Sequence, residues 1–299
     1  FSPADRTMGS VSHENPTIIV GLNAVIIALT DNQPRGLTVA LPEDTPTTPP
    51  APPTDPLAHI TVLRDQSVTS LAADLVAMGV IEQPIFLRLL ARLNDQASRL
   101  QAGEYRIPAG TTPGELLQIL ASGKVIQHAM TLVEGWTFQQ VMLALSAHEA
   151  LQHTLEDLSH AQIMQRLGYP DQHPEGRFYP DTYYFPRDES DVAFLKRAYR
   201  KMQRVLAKEW EQRAQDLPFK DPDEALILAS IVERETGLPE ERARIAGVFI
   251  RRLQKGMLLQ TDPTVIYGMG EHFDGNIRRR DLETDTPYNT YLRKGLTPT

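Results

Sequence analysis

Residues 221–237 read DPDEALILASIVERETG. An aspartate stands before a proline at the first helical position and Glu224 follows at the third, while Gly237 and Pro239 stand just past the last apolar residue, so both ends of a helix are marked. Ala225, Leu226, Ile227, Leu228, Ala229, Ile231 and Val232 leave no polar face across two turns, which predicts a helix buried on all sides within a domain. Its last turn carries Glu233, Arg234 and Glu235. The two acids point about 200° apart and do not share one pocket wall. Glu235 continues the stripe of Leu228, Ile231 and Val232, where burial and the negative end of the helix dipole would favour the protonated form that a general acid needs. The competing reading makes both acids solvated helix-end groups paired with Arg234, or with Arg242 and Arg244.

Downstream, Pro239 to Lys255 predicts a second helix with Ile245, Val248, Phe249 and Leu253 on one face, ended by Gly256. LQTDPTVIYG (259–268), DLET (281–284) and YNTY (288–291) follow as short irregular segments that mix hydroxyls, amides and carboxylates with aromatics, as in a cleft for a polyhydroxylated ligand. Upstream, residues 131–135 read as a strand leading into a helix from Thr137, with further helices around Leu155 to Leu167 and Val192 to Leu217. GRFYPDTYYFP (176–186) is an aromatic cluster that suits either a core or a sugar-stacking surface.

A strand (His59 to Leu63), two helices (Val68 to Met78, Pro84 to Leu93), a strand (Gly103 to Ile107) and a helix opened by Thr112-Pro113-Gly114-Glu115 and closed by Gly123 predict a small domain over 58–128. The expected class is α+β: a small domain followed by a mixed catalytic domain over 129–299. Ahead of both, seven prolines in the fifteen residues 42–56 mark an extended linker over 42–57, which sets apart residues 1–41, a segment too short for a core of its own. Within that segment Thr17 to Leu29 is shorter than a bilayer span and reads as a strand and turn.

The 299 residues carry a net charge of -8, which offers no broad basic surface for nucleic acid. Hydrophobic residues at 41% and charged residues at 23% are those of a globular protein, and the absence of cysteine removes disulfides, thiolate metal sites and cysteine nucleophiles. His173 and His272 lack a ligand-spaced partner, so neither a metal site nor a cofactor is expected.

ILASIVERETG, VFIRRLQKGMLLQTDPTVIYGMG and DLETDTPYNTYLRKGL, with EGRFYPDTYYFP as a further match, resemble the MltG/YceG-like endolytic murein transglycosylases over about residues 58–299. The segment from ITVLRDQSVTSLAADLVAMGVI to LQAGEYRIPAGTTPGELLQILASGKV resembles the family's LysM-like module. The resemblance implies an enzyme of the cell envelope, anchored at the periplasmic face of the inner membrane, that cuts within nascent peptidoglycan glycan strands and has peptidoglycan synthases among its partners. It also implies a membrane helix that residues 1–57 do not resemble, and further elements after Thr299, so the catalytic domain is expected to be C-terminally incomplete. The family's catalytic acid is the second glutamate of the I-x-E-x-E-T pattern, which falls on Glu235. Glu233, Gln260, Asp262, Tyr267, Tyr288 and Asn289 are the expected sugar-holding residues.

Two other readings bear weighing. IVERETGL echoes the end of a Nudix box, but the metal-binding run would need arginine at Ser230 and glutamates at Ile231 and Arg234. A non-catalytic peptidoglycan-binding protein is the other, and replacing Glu235 by glutamine separates it from an enzyme.

Overall fold

A computed structural model of the chain describes residues 58–94 and 99–298. The readings of residues 1–41 and of the proline-rich linker over 42–57 lie outside the described residues. The fold is mixed α+β, and its apolar interior falls into three clusters along the chain.

The first cluster belongs to β1 (Ala58–Val62), α1 (Val68–Ala77), α2 (Pro84–Leu93), β2 (Gly103–Ile107) and α3 (Pro113–Ser122). β1 and β2 pair antiparallel with Ile60 opposite Tyr105, and the alternation of the strands sends Ile60, Val62, Tyr105 and Ile107 inward onto Leu71, Leu75, Leu87, Leu116, Leu117 and Leu120. Local chemistry fixes the helix ends. Ser67 caps α1, Thr112 and Glu115 form a reciprocal capping box on α3, and Gly123 closes α3 at φ 68°, a left-handed conformation that glycine adopts freely.

The second cluster gathers β3 (His128–Thr131), α4 (Phe138–Ser146), β4 (Leu151–Gln152), α5 (His160–Leu167), β5 (Thr182–Phe185), β6 (Glu189–Ser190) and α6 (Asp191–Glu211). β3 pairs antiparallel with β5, and β4 parallel with β6. Three expectations shift here. The strand read at 131–135 lies at 128–131, because Val133 to Trp136 turn back on themselves through a Trp136 N–H to Val133 O bond of 3.3 Å. The helix read from Leu155 starts at His160. Buried Asp191 accepts hydrogen bonds from the backbone of Thr154 and Leu155, which pins that stretch outside a helix, and Ser159 then opens a capping box with Gln162. α6 ends at Glu211, short of Leu217. For the aromatic cluster the core reading holds at Phe178, Tyr179, Tyr183 and Phe185, all buried, whereas Tyr184 is 61% exposed.

The third cluster is formed by α7 (Pro222–Glu235), α8 (Pro239–Gln254), α9 (Asp262–Met269), a 3₁₀ turn (Gly270–His272) and α10 (Arg279–Glu283). α7 follows the expected limits: Asp221 accepts from Glu224 N–H at 2.9 Å and Pro222 occupies the first turn. It is not buried all round. Ser230 and Arg234, one turn apart, face solvent. The irregular reading of residues 259–268 is overturned, for Asp262 to Met269 is a helix. Its β-branched run Thr264-Val265-Ile266 suggests extended chain, but Pro263 in the first turn favours helix and the Thr264 side chain is tied to the Thr261 carbonyl at 2.8 Å.

Glu104 of β2 links the first cluster to the second. It accepts from His128 at 2.6 Å and from Arg187. Burial pushes the Glu104 carboxyl up, but its bonds to His128 and Arg187 prevail and hold it below the ordinary value.

Candidate active site

Glu235 ends α7, and the chain turns at once into α8. Thr236 makes that turn. Its extended backbone stops α7, its hydroxyl accepts from Leu238 N–H at 3.0 Å and donates to Glu241 at 2.9 Å, and no left-handed residue is needed at Gly237. The tip of α7 is thereby aimed at the segment that precedes α9. There the Thr261 hydroxyl donates to Glu235 Oε2 at 2.6 Å.

The burial expected for Glu235 is absent, since its side chain is open to solvent. The half-buried acid is Glu233. It pairs with Arg242 at 3.0 Å, and burial, more than the opposing charge of Arg242, pushes its carboxyl above the usual range. The helix-end reading weighed for both acids therefore divides: its ion pair describes Glu233, and its solvated position describes Glu235. Among the described residues no cation pairs with Glu235. The two acids point apart, as the helix period requires: Glu233 lies near Gly135 and Glu134, and Glu235 near Thr261.

Thr261 is itself held by a hydroxyl network. Its N–H donates to Thr290 Oγ1 at 3.2 Å, Thr290 and Thr264 share a 2.8 Å bond, and Gln260 N–H donates to the Thr290 carbonyl at 3.1 Å. Thr261, Thr264 and Thr290 are all buried. Gln260 sits at φ 53°, a left-handed conformation uncommon outside glycine, and its side chain projects outward beside Glu235's partner. Next in the chain, Asp262 accepts from Tyr291 OH at 2.6 Å. Burial and the neighbouring carboxylates of Asp262 and Glu235 push the Tyr291 hydroxyl up to about 12, so it stays a hydrogen-bond donor beside the acid.

Of the expected sugar-holding residues, Gln260 and Asp262 flank Thr261. Tyr267 and Tyr288 form a second group at the other end of α9, about 7 Å of helix rise from Asp262, with their rings edge to face at 4.9 Å. Asn289 is a correction. It is fully buried, its amide donates to the carbonyls of Leu282 and Thr284 at 2.9 and 2.7 Å, and its oxygen accepts from Tyr291 N–H at 2.9 Å. It shapes the loop and is out of reach of a ligand.

Sequence reasoning passed over Thr261, Thr290, Tyr291 and Glu175. The first three lay inside quoted segments, with a threonine at the cap of α9 as the signal. Nothing local marks Glu175. Its carboxylate accepts from Phe138 N–H at the start of α4 at 2.9 Å and from Tyr267 OH at 3.1 Å, joining the second and third clusters across the site. Burial pushes this carboxyl up, and burial together with Glu175 pushes the Tyr267 hydroxyl up as well.

Among the described residues no three histidines or acids are placed to hold a metal ion, and the Nudix-like reading would require such a cluster.

The model of the YceG-like family matches residues 60–299. The chain is 29% identical over 257 residues to a Bacillus subtilis (strain 168) protein named endolytic murein transglycosylase, covering 80% of this chain and 71% of the relative. A Streptococcus pneumoniae (serotype 2, strain D39) protein of the same name is 23% identical over 265 residues, and the match spans 78% of this chain but only 47% of that protein's length. A crystal structure of a YceG-like protein from Listeria monocytogenes aligns with a TM-score of 0.47 and 26% identity, covering 81% of this chain and 84% of that one. With the family pattern matched over 240 consecutive positions and Glu235 within them, this chain belongs to the YceG-like family.

Proposed function

We propose that this chain is a lytic transglycosylase that cuts peptidoglycan strands internally at the bond between N-acetylmuramic acid and N-acetylglucosamine, with Glu235 as its single acid–base group. Family membership and the names of the relatives support the substrate class. The observation that carries the residue assignment is the approach of Thr261 to Glu235: one carboxyl oxygen is fixed by the threonine hydroxyl, and the other is left to meet a sugar at the open end of α7.

In this reading protonated Glu235 gives its proton to the glycosidic oxygen as the bond to C1 of the muramyl sugar breaks. The carboxylate so formed takes the proton of the C6 hydroxyl of the same sugar, whose oxygen closes on C1 to leave a 1,6-anhydro end. The acid is regenerated and no water is consumed, so the second carboxylate of a hydrolase is unnecessary. Gln260, Asp262, Tyr267 and Tyr288 would hold the strand. Glu233, already bound to Arg242, supports the tip of α7. The small unit over 58–128, with its strand-helix-helix-strand order, would be the LysM-like domain and 129–299 the catalytic domain. Such an enzyme acts in the cell envelope, where its substrate and the synthases that extend it are found.

The test is digestion of purified peptidoglycan by the wild-type chain and by Glu235→Gln. A general acid contributes about 10²–10⁴ in rate, so the variant is expected to cut at least about a hundredfold more slowly while still binding the polymer. Equal cutting by the variant would contradict the assignment.

A further inference from the structure

Helix α2 packs one side and leaves another open. Leu87 and Ala91 are fully buried against the core of the small unit, whereas Ile85, Phe86, Leu89 and Leu93 are 56%, 54%, 52% and 72% exposed. At about 100° per residue these four side chains cover an arc of about 100°, and the exposed Arg88 and Arg92 lie within about 60° of its edge. No acid occurs in the helix. The apolar residues do not complete a core, because the buried positions already do so. They form a contiguous apolar strip bordered by cations.

Three kinds of occupant fit an exposed apolar strip, and the chemistry separates them. A glycan strand presents hydroxyls and amides along its whole length, to which the three aliphatic side chains and one ring offer no hydrogen bonds and Arg88 and Arg92 offer donors at one edge alone. A second copy paired through the same face would bring the same two arginines and no acid from the helix itself to meet them. An anionic lipid surface supplies both needs at once: acyl chains for the strip and phosphates for Arg88 and Arg92. None of the described helices is long and apolar enough to cross a membrane, so contact through α2 is contact in the plane of the interface. The whole chain carries a net charge of -8, so the attraction is local to this face and weakens with salt.

We propose that α2 docks the small unit on an anionic lipid surface, with Ile85, Phe86, Leu89 and Leu93 entering the headgroup–acyl boundary and Arg88 and Arg92 on lipid phosphates. This inference is independent of the catalytic reading, since its test uses lipid without peptidoglycan.

The full chain is sedimented with vesicles of mixed phosphatidylglycerol and phosphatidylcholine, and separately with vesicles of phosphatidylcholine alone. Binding to the mixed vesicles is expected, falling about tenfold or more in the double variant Leu89→Glu/Leu93→Glu and about fivefold for each of Arg88→Gln and Arg92→Gln. Leu143→Glu serves as a control: its side chain is 71% exposed on α4, and its binding should match wild type. All positions are exposed, and melting curves will show that the variants fold. The proposal is overturned if the wild-type chain ignores mixed vesicles, or binds phosphatidylcholine alone equally well. It is overturned too if the Leu89→Glu/Leu93→Glu variant binds undiminished, if Leu143→Glu loses binding to the same degree, or if those leucines instead govern self-association in lipid-free buffer.

Discussion

The elements from Ala58 to Ser122 and the stretch from Leu258 to Pro298 hold their shapes by different means. In the first, thirteen buried apolar residues close a core around two short strands, and polar side chains serve the helix ends. In the second, only Leu259 and Val265 among the apolar residues are buried, and order comes from buried Thr261, Thr264, Asn289 and Thr290 bonded to one another and to backbone. A core of the first kind tolerates a changed hydroxyl at its surface. A network of the second kind transmits the loss of one hydroxyl or amide to whatever it positions, and here it positions the partner of Glu235. Stability and cutting should therefore separate in the first region and fall together in the second.

The largest effect is expected at Asn289. Asn289→Ala removes the three hydrogen bonds of the side-chain amide at about 1 kcal/mol each and empties a buried site, so about 4 kcal/mol of stability and nearly all cutting should go together, as read by denaturant unfolding and a peptidoglycan-release assay. Persistent cutting would mean that the loop holds its form without this amide. Next, Leu117→Ala opens a cavity in the small unit's core and should lower stability by about 3 kcal/mol, with cutting per folded molecule unchanged when a soluble strand fragment is the substrate. A matching fall in cutting would blur the comparison.

Thr261→Val keeps the shape and removes the hydroxyl that fixes Glu235. A loss of about tenfold in kcat/KM is expected, close to one hydrogen bond, and the melting temperature should fall with it, by about 2–4 °C. No kinetic change would detach Thr261 from the acid. The smallest effect belongs to Glu175, whose carboxyl burial holds above the ordinary range. A carboxyl raised in the folded state binds more protons there than when unfolded, so wild type should lose stability relative to Glu175→Gln as pH rises through the raised value. Below the unfolded value both side chains are neutral and the two melting profiles should run parallel. Parallel profiles throughout would show that burial does not raise this carboxyl.

The same contrast explains what could be read in advance. Caps and apolar periods gave α2, α3, β2 and α7 to within a residue, because those signals are local. The start of α5 was missed because Asp191, more than thirty residues away in sequence, pins Thr154 and Leu155. The segment of α9 reads as irregular because its hydroxyls and carboxylate mix with aromatics and leave no apolar period. At the site, the helix period separated Glu233 from Glu235 correctly, but apolar neighbours in sequence predicted burial for Glu235 where the structure has an open helix end. Asn289 looked like a sugar ligand because a buried amide that organises a loop and an exposed one that binds sugar have the same one-letter code. Glu175 could not be found, since its two partners come from α4 and α9.

In the proposed reaction one carboxyl group, Glu235, performs both proton transfers and no water attacks the sugar. Mass spectrometry of the fragments released from purified peptidoglycan decides whether this is so. Muramyl ends lighter by one water, in the 1,6-anhydro form, should be produced by the wild-type chain and lost in Glu235→Gln. Muramyl ends with free reducing groups would contradict it and require a second group to activate water.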